Sequence, residues 1–329
     1  MARRAASEAM ARASWSNDDE FAIIIGTSKG SVETWLTPLQ HMLNEACEAG
    51  GFDGIFPITG LADIAAALPG RGPKWTVSAA CASGLLALIR GAMLIRSGEA
   101  RRVLVVAAEA SVHPLFLGSF NRLGVLPAPE IGCRPFDLTR DGFLMSEAAA
   151  AVCLEAGHVS PPQSEAPDND PPMHVAIDRF ALGADATHLT AGDPTGRVLT
   201  HLISKVIGDH DAVDLIHAHG TGTLANDPVE LAAIETALAD KRPSPSSPCL
   251  YSHKGALGHS LGAAGLVAVV LNVLAHQRGV IPPNVRTPRP LPARYVEIAS
   301  IARQRAVRRS IALAAGFGGA IAAVSLKTV

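Results

Sequence analysis

From Leu85 to Ile95 nearly every position is apolar, with Arg90 the single charge. A helix that is hydrophobic all round has no face to offer water, so it must be enclosed. A second apolar helix is expected over Gly262–His276. Short apolar runs read as buried strands at Phe21–Gly26, Arg102–Ala108, Ala148–Glu155, Met173–Leu182, Asp214–Ala218, Cys249–Ser252, Ser310–Ala315 and Ala320–Leu326. Helices are expected between them at 31–49, 61–68, 195–207 and 228–238, with an exposed one at 2–13. This strand–helix rhythm, repeated in both halves, implies α/β layers around buried sheets. Residues 111–146 read as irregular. The stretch 157–172 holds five prolines among acidic and serine residues and reads as a surface loop. It divides the chain into halves at 1–157 and 158–329.

Composition sets outer limits. A chain of 329 residues, 48% hydrophobic and 18% charged, can bury a large core as one large or two ordinary domains. A net charge of −2 argues against general nucleic-acid binding. Five scattered cysteines without a CxxC pair suit a reducing compartment, the cytoplasm, with neither a disulfide framework nor a zinc site. No run of eighteen apolar residues is present, so no membrane span is expected. The Ala-rich front, with Arg3, Arg4 and Arg12, has some character of a transit peptide. Glu8 and the helical spacing favour a surface helix instead.

The enclosed helix is preceded by an extended run, Trp75–Ala79, and Cys81 sits at the join among small residues. There the positive end of the helix dipole favours thiolate, the nucleophilic form. Taken alone, Cys81 reads first as a core cysteine, a residue type often buried. Two histidines change the balance. His219 follows a strand in AHGTGT, and His259 lies in HKGALGHSLGAAG with Lys254 five residues before it. Glycines on either side let a ligand approach closely. The other ten histidines, His41 and His276 among them, read as structural or surface. A helix-start thiol with two such histidines forms a nucleophile and proton-handling set.

Four motifs, AACASG at Cys81, AHGTGT at His219, HKGALGHSLGAAG at His259 and AAGFGG at Phe317, together resemble the β-ketoacyl synthases. These are thiolase-fold condensing enzymes of fatty-acid and polyketide synthesis. CRPFDLTRDGFLMSEAAA, GADATHLTAGDPTG and HGTGTLANDPVE match as well, in the family's order, from about residue 21 onward. The resemblance implies two similar α/β halves whose mixed sheets sandwich buried helices. It implies that Cys81 takes an acyl group from a carrier, and that His219 and His259 stabilise the enolate left when a malonyl extender loses CO2. By the same resemblance Lys254 polarises the His259 region. Thr190, Thr221 and Thr223 hold the pantetheine arm, and the backbone N–H groups of Cys81 and Phe317 hold the oxyanion. Phe317 reads either as a gate beside the nucleophile or as ordinary core packing. Asp141, Glu147, Asp227 and Glu230 read as structural. Acyl carrier protein and a homodimeric or heterodimeric ketosynthase-like partner are implied, with no cofactor or metal.

The chain also departs from the pattern. Relatives carry roughly seventy to ninety more residues at the front, beyond ordinary loop variation. That front includes the family's first strand, expected at the centre of the N-terminal sheet. The half-sheet then closes up without it, borrows a strand from another chain, or the start is misplaced. GFGGAI replaces the family's GFGGTN, and His217 stands where an acidic residue is common. Ala268 replaces a Glu that pairs with the active-site lysine in many relatives. The leading expectation is an active condensing enzyme. The alternatives are a catalytically weak partner subunit and, ranked lowest, a Cys-His thioester hydrolase.

Overall fold

The computed structural model describes residues 1–32, 36, 64, 67–157, 174–208, 212–239 and 247–329. The predicted loop 157–172, apart from Gly157, and most of the helices predicted at 31–49 and 61–68 lie outside these residues. The first sheet contains β1 (Ala22–Gly26), β2 (Lys74–Val77), β3 (Arg102–Glu109) and β4 (Ala148–Glu155), in the order β2-β1-β3-β4. Its first three strands are parallel, and β4 runs antiparallel to β3. The second sheet contains β5 (Val175–Ala184), β6 (Leu215–His217), β7 (Cys249–Tyr251), β10 (Arg309–Ala315) and β11 (Ala320–Thr328). Its order is β5-β11-β10-β6-β7. A two-stranded ribbon, β8 (Val280–Ile281) with β9 (Arg303–Gln304), stands apart.

The two sheets repeat one plan. Read from its far edge, the second runs β7-β6-β10-β11, with β11 antiparallel to β10, as β4 is to β3. It then adds its own first strand, β5, outside β11. The expected gap at the centre of the first sheet is therefore corrected. Ala22–Gly26 of β1 pairs directly with Val103–Ala107 of β3. The position that β5 fills in the second sheet lies at an edge, outside β4, where no strand pairs among the described residues.

Two helices occupy the space between the sheets, α2 (Ser83–Arg96) and, after short α6 (Lys254–Leu257) and a 3-10 turn at Leu261–Ala263, α7 (Ala264–Arg278). One hydrophobic cluster joins Leu85, Leu88 and Ile89 of α2, Leu266 and Val269 of α7, Val103 and Val105 of β3, and Ala322 and Val324 of β11. Each sealed leucine or isoleucine contributes roughly 1.5–3 kcal/mol relative to exposure. Leu261–Arg278 is long and apolar enough to cross a membrane by length and composition, but its apolarity is spent on this core. The helices meet at glycines. A Cβ on Gly265 would lie 2.8 Å from Leu85 Cβ, and one on Gly84 would lie 3.0 Å from Gly262 O.

The pleat of β3 sorts its side chains between two layers. Val103, Val105 and Ala107 face the buried helices, while Leu104 and Val106 join Ala6, Met10 and Trp15 on the other face. Helix α1 (Ala2–Arg12) is thus not the exposed helix expected, since Ala6 and Met10 are buried against the first sheet. Residues 111–146 are not wholly irregular either. They hold α3 (Pro114–Arg122), which starts on a proline and is capped by His113 Nδ1 accepting from Leu115 N. The remaining helices, α4 (Arg197–Ile207) and α5 (Asn226–Ala239), pack on the outer side of the second sheet through Leu202, Ile203, Leu231 and Ile234.

Candidate active site

Three turns meet between the sheets. In the first, the chain leaves β2 and passes through Ala80, whose backbone is left-handed at φ 48°. Ser83 braces the turn, its Oγ accepting from Ala79 N and donating to Ala80 O. Cys81 is thereby delivered two residues ahead of α2. The turn between β10 and β11 presses on it from outside. A Cβ on Gly316 would lie 2.6 Å from Ala79 O and 3.2 Å from Cys81 N.

The second turn, His219–Thr223, is held from beneath by two carboxylates on one face of α5. Glu230 accepts from His219 N at 2.6 Å and Gly220 N at 2.7 Å. Asp227 accepts from Gly222 N and, at 2.7 Å, from Phe136 N. Both carboxylates are buried, and burial raises the pKa of each against these bonds. Glu230, read from the sequence as structural, underpins that turn and also lines the cavity. Asp141 and Glu147 serve loop backbone, accepting from Ala128 N and Val112 N.

The third turn carries His259. Its N–H donates to Leu144 O at 2.7 Å, its carbonyl accepts from Ser146 N, and Phe143 packs edge-on 4.9 Å from its ring. The segment RDGFLMSE is therefore the clamp on this histidine.

The sulfur and both imidazoles line one cavity of about 690 Å³. The rings of His219 and His259 lie 5.4 Å apart at 82°. Phe317, Thr190, Thr221 and Thr223 line the same space, with Thr221 and Thr223 hydroxyls bonded at 2.9 Å. Lys254 does not line it. It is 2% exposed and donates from Nζ to the His219 carbonyl, behind the turn. His276, bonded to Thr328 and Ser310 hydroxyls, is structural as expected, and His41 lies outside the described residues.

Burial dominates the electrostatics. It pushes the Cys81 thiol up to about 11, against the opposing pull of Lys254 and Lys29. The helix-end effect expected from the sequence faces a larger desolvation cost. Burial and then the Lys254 charge hold His219 and His259 well below the ordinary imidazole value. Burial also lowers Lys254, against Glu230. At rest the site is a neutral thiol and two neutral imidazoles, with the Lys254 amine buried behind them.

Sequence reasoning missed Glu109, which accepts from Ser28 N, Gly262 N and Ser111 Oγ and so ties three loops near Cys81. It also missed Lys29, set over Phe116 and Phe120. The local signal for Glu109 was a charge directly following an apolar run, while Lys29 stands three residues past the end of β1.

Residues 1–159 match the family model for the β-ketoacyl synthase N-terminal domain, and residues 175–287 that for its C-terminal domain. The tetracenomycin polyketide synthase ketoacyl synthase alpha subunit of Streptomyces glaucescens is 30% identical over 325 residues, 92% of this chain and 73% of that one. A 3-oxoacyl-(acyl-carrier-protein) synthase 2 of Rhizobium meliloti is 30% identical over 267 residues, 78% of this chain and 61% of that one. The solved ishigamide ketosynthase/chain length factor superposes with a TM-score of 0.78 at 28% identity, covering 100% of this chain and 81% of that one. The chain spans about three-fifths of the length of several curated relatives, 59% at the low end. With both domain models matched in order and the fold shared from end to end, the chain belongs to the β-ketoacyl synthase family, whose condensing enzymes have the thiolase-like fold.

Proposed function

We propose that this chain is an acyltransferase of the 3-oxoacyl-(acyl-carrier-protein) synthase type, with Cys81 as nucleophile and His219 and His259 as its two imidazoles. The convergence of these three side chains on one cavity carries the reading. Cys81 Sγ attacks the thioester carbonyl of an acyl carrier protein, and the carrier's thiol leaves with the proton. The backbone N–H groups of Cys81 and Phe317 face the oxyanion. Malonyl carrier then enters along Thr190, Thr221 and Thr223. As its carboxylate departs as CO2, the electron pair is left as an enolate whose oxygen accepts from His219 and His259. The enolate carbon attacks the acyl-Cys81 carbonyl, Cys81 leaves as thiolate and takes up one proton from solvent, and the carrier holds a chain two carbons longer. Splitting the reaction in two is ping-pong covalent catalysis. Lys254 fixes the His219 backbone and supplies positive charge behind it. Phe317 acts as a gate at the nucleophile.

The partner is acyl carrier protein, and the chain acts as a dimer with itself or with another ketosynthase-like subunit. Strand β2 supports this, since among the described residues it pairs on one side only, and Trp75 is 39% exposed. The free cysteines, Cys81, Cys133, Cys153 and Cys249, suit the cytoplasm. The outer edge of β4, unpaired among the described residues, favours a second reading, a weakly active subunit paired with another ketosynthase-like chain. Product identity tests the main reading. With acyl- and malonyl-carrier the isolated chain yields a β-ketoacyl carrier. Free fatty acid alone would indicate a hydrolase, and activity only after capture of a second ketosynthase would support the subunit reading.

A further inference from the structure

Behind the catalytic turns lies a buried chain of polar groups that the reaction scheme does not use. Asn272, on α7, donates from Nδ2 to Ile311 O of β10 at 3.2 Å. Its Oδ1 is therefore the atom that meets His217 Nδ1, at 2.9 Å. The reverse amide orientation would set oxygen against the Ile311 carbonyl. His217 Nδ1 must then carry the hydrogen. His217 Nε2, left as a lone pair in the neutral ring, lies 2.8 Å from His253 Nδ1, which must donate to it. Neutral His253 ends the series with a bare lone pair at Nε2, buried and without a hydrogen-bond partner among the described residues.

The ionisation of the chain is consistent with this assignment. Burial lowers His217 to about 3 and holds His253 well below the ordinary imidazole value. The groups around the pair are the Tyr251 ring 4.7 Å from His217, the Lys254 amine, His219 and His259. A proton on His217, at Nε2, would set two N–H groups against each other, and a proton on His253, at Nε2, would add charge in a buried place with no acceptor among the described residues. All four residues, Asn272, His217, His253 and the acceptor Ile311, are buried.

The placement gives the chain its role. His217 ends β6 two residues before His219, and His253 immediately precedes Lys254 and the turn that carries His259. The His217–His253 bond thus joins the two loops that hold the catalytic imidazoles, and Asn272 anchors the joint to α7 and β10. We propose that His217 and His253 are positioning residues for the condensation step, locked by a one-way hydrogen-bond chain in neutral Nδ1–H tautomers. This rests on the reaction proposed above.

The test uses the full chain. Ring-15N histidine NMR of the wild type, assigned with His217 and His253 variants, reads the tautomers without turnover. Both rings neutral and protonated at Nδ1 at pH 7 is the expected result. A cationic ring, or hydrogen on His253 Nε2, overturns the chain. His253→Leu keeps the volume and removes the donor, while His253→Asn keeps an N–H in place of Nδ1. His253→Leu is expected to lower kcat for condensation about 30- to 100-fold, the scale of an ångström's misplacement. Acylation of Cys81 and KM should stay within about threefold, and His253→Asn should restore most of the rate. Equal loss of both half-reactions, or no rescue by Asn, overturns the positioning role. Wild type that never takes an acyl group refutes the proposed reaction and the role with it, whatever the tautomers.

Discussion

Gly316→Ala perturbs the nucleophile's turn directly. The added Cβ would stand 2.6 Å from the Ala79 carbonyl oxygen, 3.2 Å from Cys81 N and 3.3 Å from Ala80 Cβ. Ordinary contact begins near 3.4 Å, so one of the two turns must retreat by about 0.8 Å. All three neighbours, two backbone atoms and an alanine Cβ, belong to the turn braced by Ser83, so no flexible side chain can absorb the shift. Gly316 does not have a left-handed φ, so the cost is one of space and not of backbone conformation. Overpacking of this kind costs about 1–3 kcal/mol of stability. The catalytic effect is larger, because the retreat separates Cys81 N from Phe317 N, the two donors assigned to the oxyanion. A misplacement near 1 Å lowers the rate by about a hundredfold, and loss of one oxyanion donor costs about 10²–10³ in kcat. The assay is a time course of acyl adduct on Cys81 by intact-protein mass spectrometry, with a thermal melt in parallel. Acylation slowed about a hundredfold in a protein that still folds is expected. An alanine variant that acylates within threefold of wild type would refute the packing argument and the oxyanion assignment together.

Other outcomes follow from the same geometry. Cys81→Ala removes the acyl adduct in intact-protein mass spectra, and an adduct that persists takes Cys81 out of the mechanism. His219→Ala or His259→Ala slows condensation far more than acylation, measured as separate half-reactions; equal loss contradicts the enolate role. With the thiol raised to about 11, thiolate is a small fraction at pH 8 and grows about tenfold per pH unit below that value. Iodoacetamide labelling of Cys81 should therefore keep rising from pH 8 to 10, and a plateau near pH 8 would show the α2 helix end outweighing burial. Lys254→Met removes the strongest charge lowering that thiol and should slow labelling at pH 9.

Most of the strands were legible because their apolar runs are short, uninterrupted and enclosed. The β3 run is buried on both faces of its sheet, a state its sequence states directly. Helix α1 was misjudged because its buried stripe is narrow, Ala6 and Met10 among charged neighbours, and alanine gives little apolar contrast. Helix α3 was missed because it buries no side chain and carries Gly118 in its middle. In the site, glycine spacing pointed to His219 and His259, since turns that admit a ligand need residues without Cβ. His253 gave no such signal. Its meaning depends on His217 and Asn272, distant in sequence and adjacent only once β6 and α7 pack. Glu230 was underrated for the same reason, because its role is to bind backbone N–H groups eleven and ten residues away.

The most direct measurement is a single turnover. Acyl-Cys81 protein, freed of donor, is mixed with malonyl carrier, and CO2, remaining acyl-enzyme and carrier-bound product are followed together. The account predicts one CO2 and one β-ketoacyl carrier for each acyl group lost from Cys81. Loss of the acyl group without CO2, or CO2 release that leaves the acyl-enzyme untouched, would contradict it.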